Sequence, residues 1–313
     1  MAVGSRPLVP SRLAPGGVAH GTRRTARSKV GAYVALTKPR IIELLLITTV
    51  PTMVLAEDGW PSTWLVVWTL VGGSLAAGGA NAINMYVDRD IDALMARTRN
   101  RPLVTGMVAP RNALVFAGVL EAGAFAVLWA SSNVLAAVLA LSATAFYVGV
   151  YTIWLKRTSR QNIVIGGAAG AVPVLVGWAA VRGDLAWTPV VLFAAMFFWT
   201  PPHFWALAIR FADDYRAADV PMLPAVVPME QAVRQMVGHT VALVACTLVL
   251  APVADLGVVY LITAAALGAL FIGGVVQLGR RPSVSGSMRV FGFSITYVTV
   301  LFSAMTVDVL IGA

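Results

Sequence analysis

Cysteine is almost missing from the chain. Cys246 is the single one, which excludes an intramolecular disulfide and any cysteine-held metal cluster and leaves it as small apolar filler. Charge is scarce as well: only 12% of the 313 residues are Asp, Glu, Lys or Arg, while 58% are hydrophobic and mean hydropathy is +0.80. Such a chain is not an ordinary soluble domain and belongs in a bilayer. Acids are the scarcest of the charges, 14 against 23 bases, for a net charge of +9. In a membrane protein that excess reports topology and anionic headgroups, so nucleic acid is excluded as a partner. The first 30 residues have no apolar run and are rich in Arg, Gly, Pro and Ser; they read as a disordered basic cytoplasmic tail and not as a cleaved signal peptide.

What is abundant is apolar sequence in lengths near the ~20 residues a spanning helix needs. Nine such spans are expected, at about 40–56, 62–86, 110–130, 133–154, 162–180, 188–209, 235–254, 257–278 and 289–311. Residues 31–313 thus form a single all-α transmembrane domain. Lys and Arg accumulate in alternate connections, and Arg182 is the one base on the other side. This alternation puts the N-terminus in the cytoplasm, the C-terminus outside, and the charged motifs together on the cytoplasmic face. Acidic connections after spans two and six, and basic starts to spans one and five, repeat at an offset of four spans. They point to two pseudo-repeated four-helix halves plus a ninth helix, with a pocket at their interface. The small-residue runs GGSLAAGGA (72–80) and GGAAGA (166–171) are expected to let helices pack closely. The Trp residues and Tyr86, Tyr147 and Tyr151 are expected as interfacial anchors.

The chemistry concentrates in NAINMYVDRDIDALMARTRNRP, residues 81–102. Asn84, Asp88 and Asp92 follow at i, i+4 spacing, so a helix projects all three from one face. Like charges so placed repel, and a hard cation between them removes the repulsion. The neighbouring arginines suit an anion. A magnesium-bound diphosphate satisfies both signs, and in a greasy cavity that diphosphate can be the leaving group of an apolar chain. The second cluster, WTPPHFWALAIRFADDYRAADVPMLP at 199–224, holds two consecutive prolines expected to kink span six, with His203 just beyond them. Glu43 lies inside span one and calls for a basic partner such as Arg40.

On these residues the chain resembles the UbiA superfamily of intramembrane prenyltransferases, whose N-x-x-x-D-x-x-x-D signature Asn84, Asp88 and Asp92 match. LTKPRIIELLL (36–46), YTIWLKRTSRQNIVIGGAAGAVPVLVGW (151–178) and WTPPHFWALAI with DYRAADVPMLP look like its haem-farnesylating branch. That superfamily usually carries a second D-x-x-x-D; here Ala218 stands four positions after Asp214, as in the haem branch. The resemblance implies a UbiA-like fold and transfer of a farnesyl group from farnesyl diphosphate to a vinyl group of haem B, with Mg2+ as cofactor and the lipid bilayer as surroundings. It implies Asn84, Asp88, Asp92 and Asp214 as metal and diphosphate ligands, and Arg97, Arg101, Lys156 and Arg157 as diphosphate clamps. Arg40 and His203 would face the haem. Haem A synthase or terminal-oxidase assembly proteins are the implied partners, and a cell membrane the location. Two other readings compete: a transferase of the same superfamily acting on an aromatic or quinone precursor, and a secondary transporter, which would need ionisable groups deep in several spans.

Overall fold

The computed structural model describes residues 28–312, so the expected tail lies almost wholly outside the described residues. A short helix, α1 (Lys29–Thr37), opens the chain, with the Ser28 hydroxyl accepting from the Gly31 amide at 3.1 Å. It ends at Lys38, whose φ of 52° turns the chain sharply into α2 (Pro39–Glu57), where Pro39 occupies the first helical turn. Next come α3 (Thr63–Val87), the six-residue α4 (Arg89–Leu94), α5 (Pro110–Ser131) and α6 (Val134–Thr158). The second half runs through α7 (Asn162–Arg182), α8 (Trp187–Arg210), the six-residue α9 (Ala212–Ala217) and α10 (Leu223–Val226). It closes with α11 (Met229–Val253), α12 (Val258–Arg280) and α13 (Val284–Gly312).

Among the described residues eight helices are long and apolar enough to cross a membrane. They coincide with the second to ninth expected spans. The first lies in α2, whose apolar portion among the described residues is the shorter Ile47–Glu57. The protein is therefore a multi-pass membrane protein. Its internal offset is visible too. Helices α3 and α8 each end in a turn followed by a six-residue helix, α4 and α9, and each packs extensively on the next long helix, α5 and α11. Helix α13 lies across α2, α8 and α12.

Two local features shape the interior. Helix α6 is π-helical from Phe146 to Leu155, and the Thr152 hydroxyl donates to the Tyr147 carbonyl five residues back. That wide turn stacks Tyr147 on Tyr151 at 5.4 Å and turns both into the bundle; neither is an interfacial anchor. Trp199 and Trp205 are likewise core residues, whereas Trp64, Trp129, Trp154 and Trp187 are exposed on the perimeter. Helix α8 continues through Pro201 and Pro202, which leaves the carbonyls of Phe197 and Phe198 without their usual i+4 donors.

Candidate active site

The i, i+4 register of the acidic stripe survives a break in the helix. Helix α3 ends at Val87, Asp88 caps it, and α4 starts at Arg89. The Asp88 amide still donates to the Asn84 carbonyl (2.9 Å) and the Asp92 amide to that of Asp88 (2.8 Å). Asn84, Asp88 and Asp92 are therefore brought together, at 3%, 0% and 0% exposure.

Buried carboxylates need compensation, and the fold supplies it from distant sequence. The Lys156 ammonium pairs with Asp88 Oδ2, and Arg101 Nη1 donates to Asp92 Oδ2 at 2.6 Å. Asn84 links the group: its Nδ2 donates to Asp88 Oδ2 (2.9 Å) and Thr152 Oγ1 (3.0 Å), while its Oδ1 accepts from Lys38 Nζ (2.8 Å). Burial, with Arg101 and Lys156 nearby, lowers Lys38 to about 7. One oxygen of each acid, Asp88 Oδ1 and Asp92 Oδ1, is buried without a hydrogen-bond partner among the described residues. Two hard anionic oxygens left open on carboxylates one helical turn apart fit a divalent cation such as magnesium. The donor set is leaner than four ligands. No cluster of three or more His, Cys, Asp or Glu side chains suited to a metal occurs among the described residues, and the Asn84 oxygen is engaged by Lys38.

The other expected residues divide. Asp214 approaches the cluster from α9, but its carboxylate accepts from the backbone amides of Ala96 (3.3 Å) and Arg97 (3.5 Å), tying together the loops that follow α3 and α8. Arg97 donates to Tyr215 Oη (2.7 Å) and lies over the Tyr215 and Phe211 rings. Arg157 turns away: its two terminal nitrogens grip the exposed Asp90 at 2.7 Å each, and one also reaches the Val87 carbonyl. That contact holds Asp90 down at about 2. The Arg40 and Glu43 side chains lie outside the described residues.

Below the charges, a cavity of about 330 Å³ runs into the bundle between α2, α3, α6, α7 and α8. His203 is on its wall, stacked between Trp199 (4.2 Å) and Phe291 (4.7 Å), with Nδ1 2.7 Å from Ser294 Oγ. The small-residue runs have a double use. Gly72 and Gly167 pack where a Cβ would meet Leu128 at 2.5 Å or the Thr200 side chain at 3.0 Å. Gly73 and Gly170, by contrast, face open space on the cavity wall. Close packing alone was expected of these runs.

Lys38, Thr152 and the stacked tyrosines were not foreseen as site residues. The pattern Lys38-Pro39 was the available signal, because a residue before proline is pushed out of the helix and marks a corner. Glu121 in α5 and Asp308 in α13 also depart from the expectation that charge stays on one face. Asp308 accepts from the Gly257 and Tyr260 amides and so caps α12 at the far end of the bundle. There a second depression of about 640 Å³, lined by Asp58, Arg182, Asp255 and Asp308, shares no residue with the first.

A buried acidic pair held by cations, close to a greasy intramembrane cavity, is what the resemblance leads one to expect. The profile described as "UbiA prenyltransferase family" matches residues 45–299. The chain belongs to the UbiA prenyltransferase family. It is 53% identical over 292 residues to the protoheme IX farnesyltransferase of Frankia alni, covering 91% of this chain and 99% of that one. Among solved structures, digeranylgeranylglyceryl phosphate synthase shares the fold with a TM-score of 0.75 at 18% identity, covering 90% of this chain and 99% of that one. A UbiA homologue from Archaeoglobus fulgidus bound to GPP and Mg2+ has a TM-score of 0.60 at 18% identity, covering 87% and 99%.

Proposed function

We propose that this prenyltransferase moves the farnesyl group of farnesyl diphosphate onto a vinyl group of protohaem IX, giving haem O and diphosphate. The observation that carries the diphosphate half is the pair of open oxygens, Asp88 Oδ1 and Asp92 Oδ1, in a cluster that also holds Lys38, Arg101 and Lys156 and begins about a turn beyond Asn81 in the wall of an apolar cavity. The acceptor half is supported by the half-identical relative named protoheme IX farnesyltransferase. Asp88 and Asp92 would hold Mg2+, with Asn84 setting their orientation and Asp214 anchoring the loop beside them. When bound, the ion supplies Lewis-acid stabilisation of the diphosphate oxygens. The Archaeoglobus homologue bound to GPP and Mg2+ supports this cofactor.

The chain's own groups do the rest. Lys38, Lys156 and Arg101 are positioned to balance charge building on the departing diphosphate, an electrostatic contribution that a water-poor site magnifies. The C1–O bond of the farnesyl ester breaks as vinyl π electrons form the new C–C bond. Tyr147, Tyr151 and Trp199 line the cavity and would shelter the allylic cation from premature water. His203, stacked between its aromatic neighbours, and Arg40 at the start of α2 are the candidate haem contacts. Alternating charge supports diphosphate binding and release on the cytoplasmic side of a cell membrane, with the C-terminus outside. Residues 1–30 would be a tail on a single transmembrane domain, and haem A synthase or oxidase assembly proteins the receivers of the product.

The test is expression in a host without its own haem O synthase, followed by haem extraction and mass analysis. Haem O is the expected product. Unmodified haem B beside well-folded protein would overturn the acceptor assignment.

A further inference from the structure

Glu121 has no part in holding diphosphate, yet it is an acid in the middle of a spanning helix, where ionisable groups are costly and usually functional. The fold makes room for it. Gly79 on α3 lacks the side chain that would block it: a Cβ there would lie 2.5 Å from Glu121 Oε1. Through that gap Glu121 Oε1 accepts the hydroxyl proton of Thr144 on α6 at 3.1 Å. Its other oxygen, Oε2, is buried without a partner among the described residues. Thr144 is itself a wall residue of the apolar cavity, about a turn from Tyr147. The carboxylate thus stands behind the wall, connected to the interior through the hydroxyl of one wall residue.

Resting on the haem-farnesylation reading, we propose that Thr144 and Glu121 form the proton relay for the water that completes the reaction. Once vinyl carbon has bonded to farnesyl C1 and diphosphate has left, a carbocation remains beside the porphyrin ring. Water oxygen donates an electron pair to it, forming the C–O bond. The surplus water proton passes to Thr144 Oγ as the Thr144 hydroxyl proton passes to Glu121, which ends neutral and later releases it. Atoms and charge balance with no oxidant or reductant. Without the relay the same cation discharges by losing a carbon-bound proton to the departing diphosphate, giving an alkene lighter than the alcohol by one water.

Membranes containing wild type, Glu121→Gln, Thr144→Val and Thr144→Ser, supplied with farnesyl diphosphate and haem B, test the relay by the ratio of hydroxylated to alkene product. A base of this kind contributes about 100-fold or more, so the ratio is expected to fall by about that factor in Glu121→Gln and Thr144→Val and to survive in Thr144→Ser. An unchanged ratio in the first two, whatever their yield, overturns the relay, because a merely structural defect lowers both products together. A wild type that makes no farnesylated haem overturns the reaction and the relay with it.

Discussion

Replacing Asp88 by Asn keeps the side chain's shape while removing its charge and one acceptor oxygen, which makes it the sharpest probe of the cluster. Asp88 is fully buried; Oδ2 is shared by Lys156 and Asn84, and Oδ1 is open. If Oδ1 is there to hold a cation that stabilises departing diphosphate, the substitution removes about 4 kcal/mol of transition-state stabilisation, or about 10³-fold in kcat/KM. It also strands Lys156, 8% exposed, without its counter-ion, and breaking a buried pair from one side costs about 3–5 kcal/mol of stability. The two losses are separable. In the double variant Asp88→Asn with Lys156→Met no unpaired charge remains, so thermal stability in detergent should return toward wild type while activity stays absent. Magnesium-dependent turnover and melting temperature, measured on wild type, both single variants and the double, give the full cycle. Wild-type turnover in Asp88→Asn, or activity recovering together with stability in the double variant, would refute the reasoning and reduce Asp88 to a counter-ion for Lys156.

Four further outcomes follow from the same geometry. Asp214→Asn, whose single amide oxygen can accept from only one of the Ala96 and Arg97 amides, should stay within about tenfold of wild-type turnover, since the net worth of such a bond is about 1–3 kcal/mol; a sharply raised magnesium requirement would instead make Asp214 a ligand. Arg157→Ala should lower turnover by less than about threefold and stability by about 0–1 kcal/mol, as its partner Asp90 is exposed; complete loss of activity would restore it as a clamp. Gly73→Val and Gly170→Val, which fill open cavity space, should lower kcat/KM for farnesyl diphosphate more than for geranyl diphosphate, and an equal loss for both would show general misfolding. Lys38 is held near 7 by burial, so its charged form fades as pH rises through that value, whereas a bound diphosphate favours the charged form. The KM for farnesyl diphosphate should therefore climb above about pH 7 in wild type and flatten in Lys38→Arg, and a flat wild-type profile would sink this role.

The fold was legible because a bilayer imposes length and charge rules on sequence. Runs near 20 residues located eight of the nine expected spans to within about six residues at each end, and the acidic stripe gave its own register. What could not be read was how the helices face one another. Lys156 and Asp88 are 68 residues apart, and Lys38 and Asn84 are 46 apart; their meeting depends on a π-helical stretch in α6 and a left-handed corner at Lys38. Neither leaves a periodic signal. Asp214 and Arg157 add contacts that residue type did not suggest: the first accepts from backbone amides and the second pairs with Asp90. The glycines were half legible, since composition permits close packing but cannot say which Cβ-free faces look at a neighbour and which at a void.

Charge balance explains why these unforeseen contacts sit where they do. Three bases, Lys38, Arg101 and Lys156, accompany two acids, Asp88 and Asp92, so a fully ionised cluster carries one net positive charge in a poorly solvated place. The free protein relieves it by holding Lys38 at the edge of deprotonation. A divalent cation alone would make the imbalance worse, and a diphosphate alone would face Asp88 and Asp92 directly. Bound together they nearly neutralise each other and the cluster, and Lys38 can then keep its proton. On this reasoning metal and prenyl diphosphate bind with positive coupling. The apparent magnesium affinity should tighten when farnesyl diphosphate is present, and reciprocally, by the same factor.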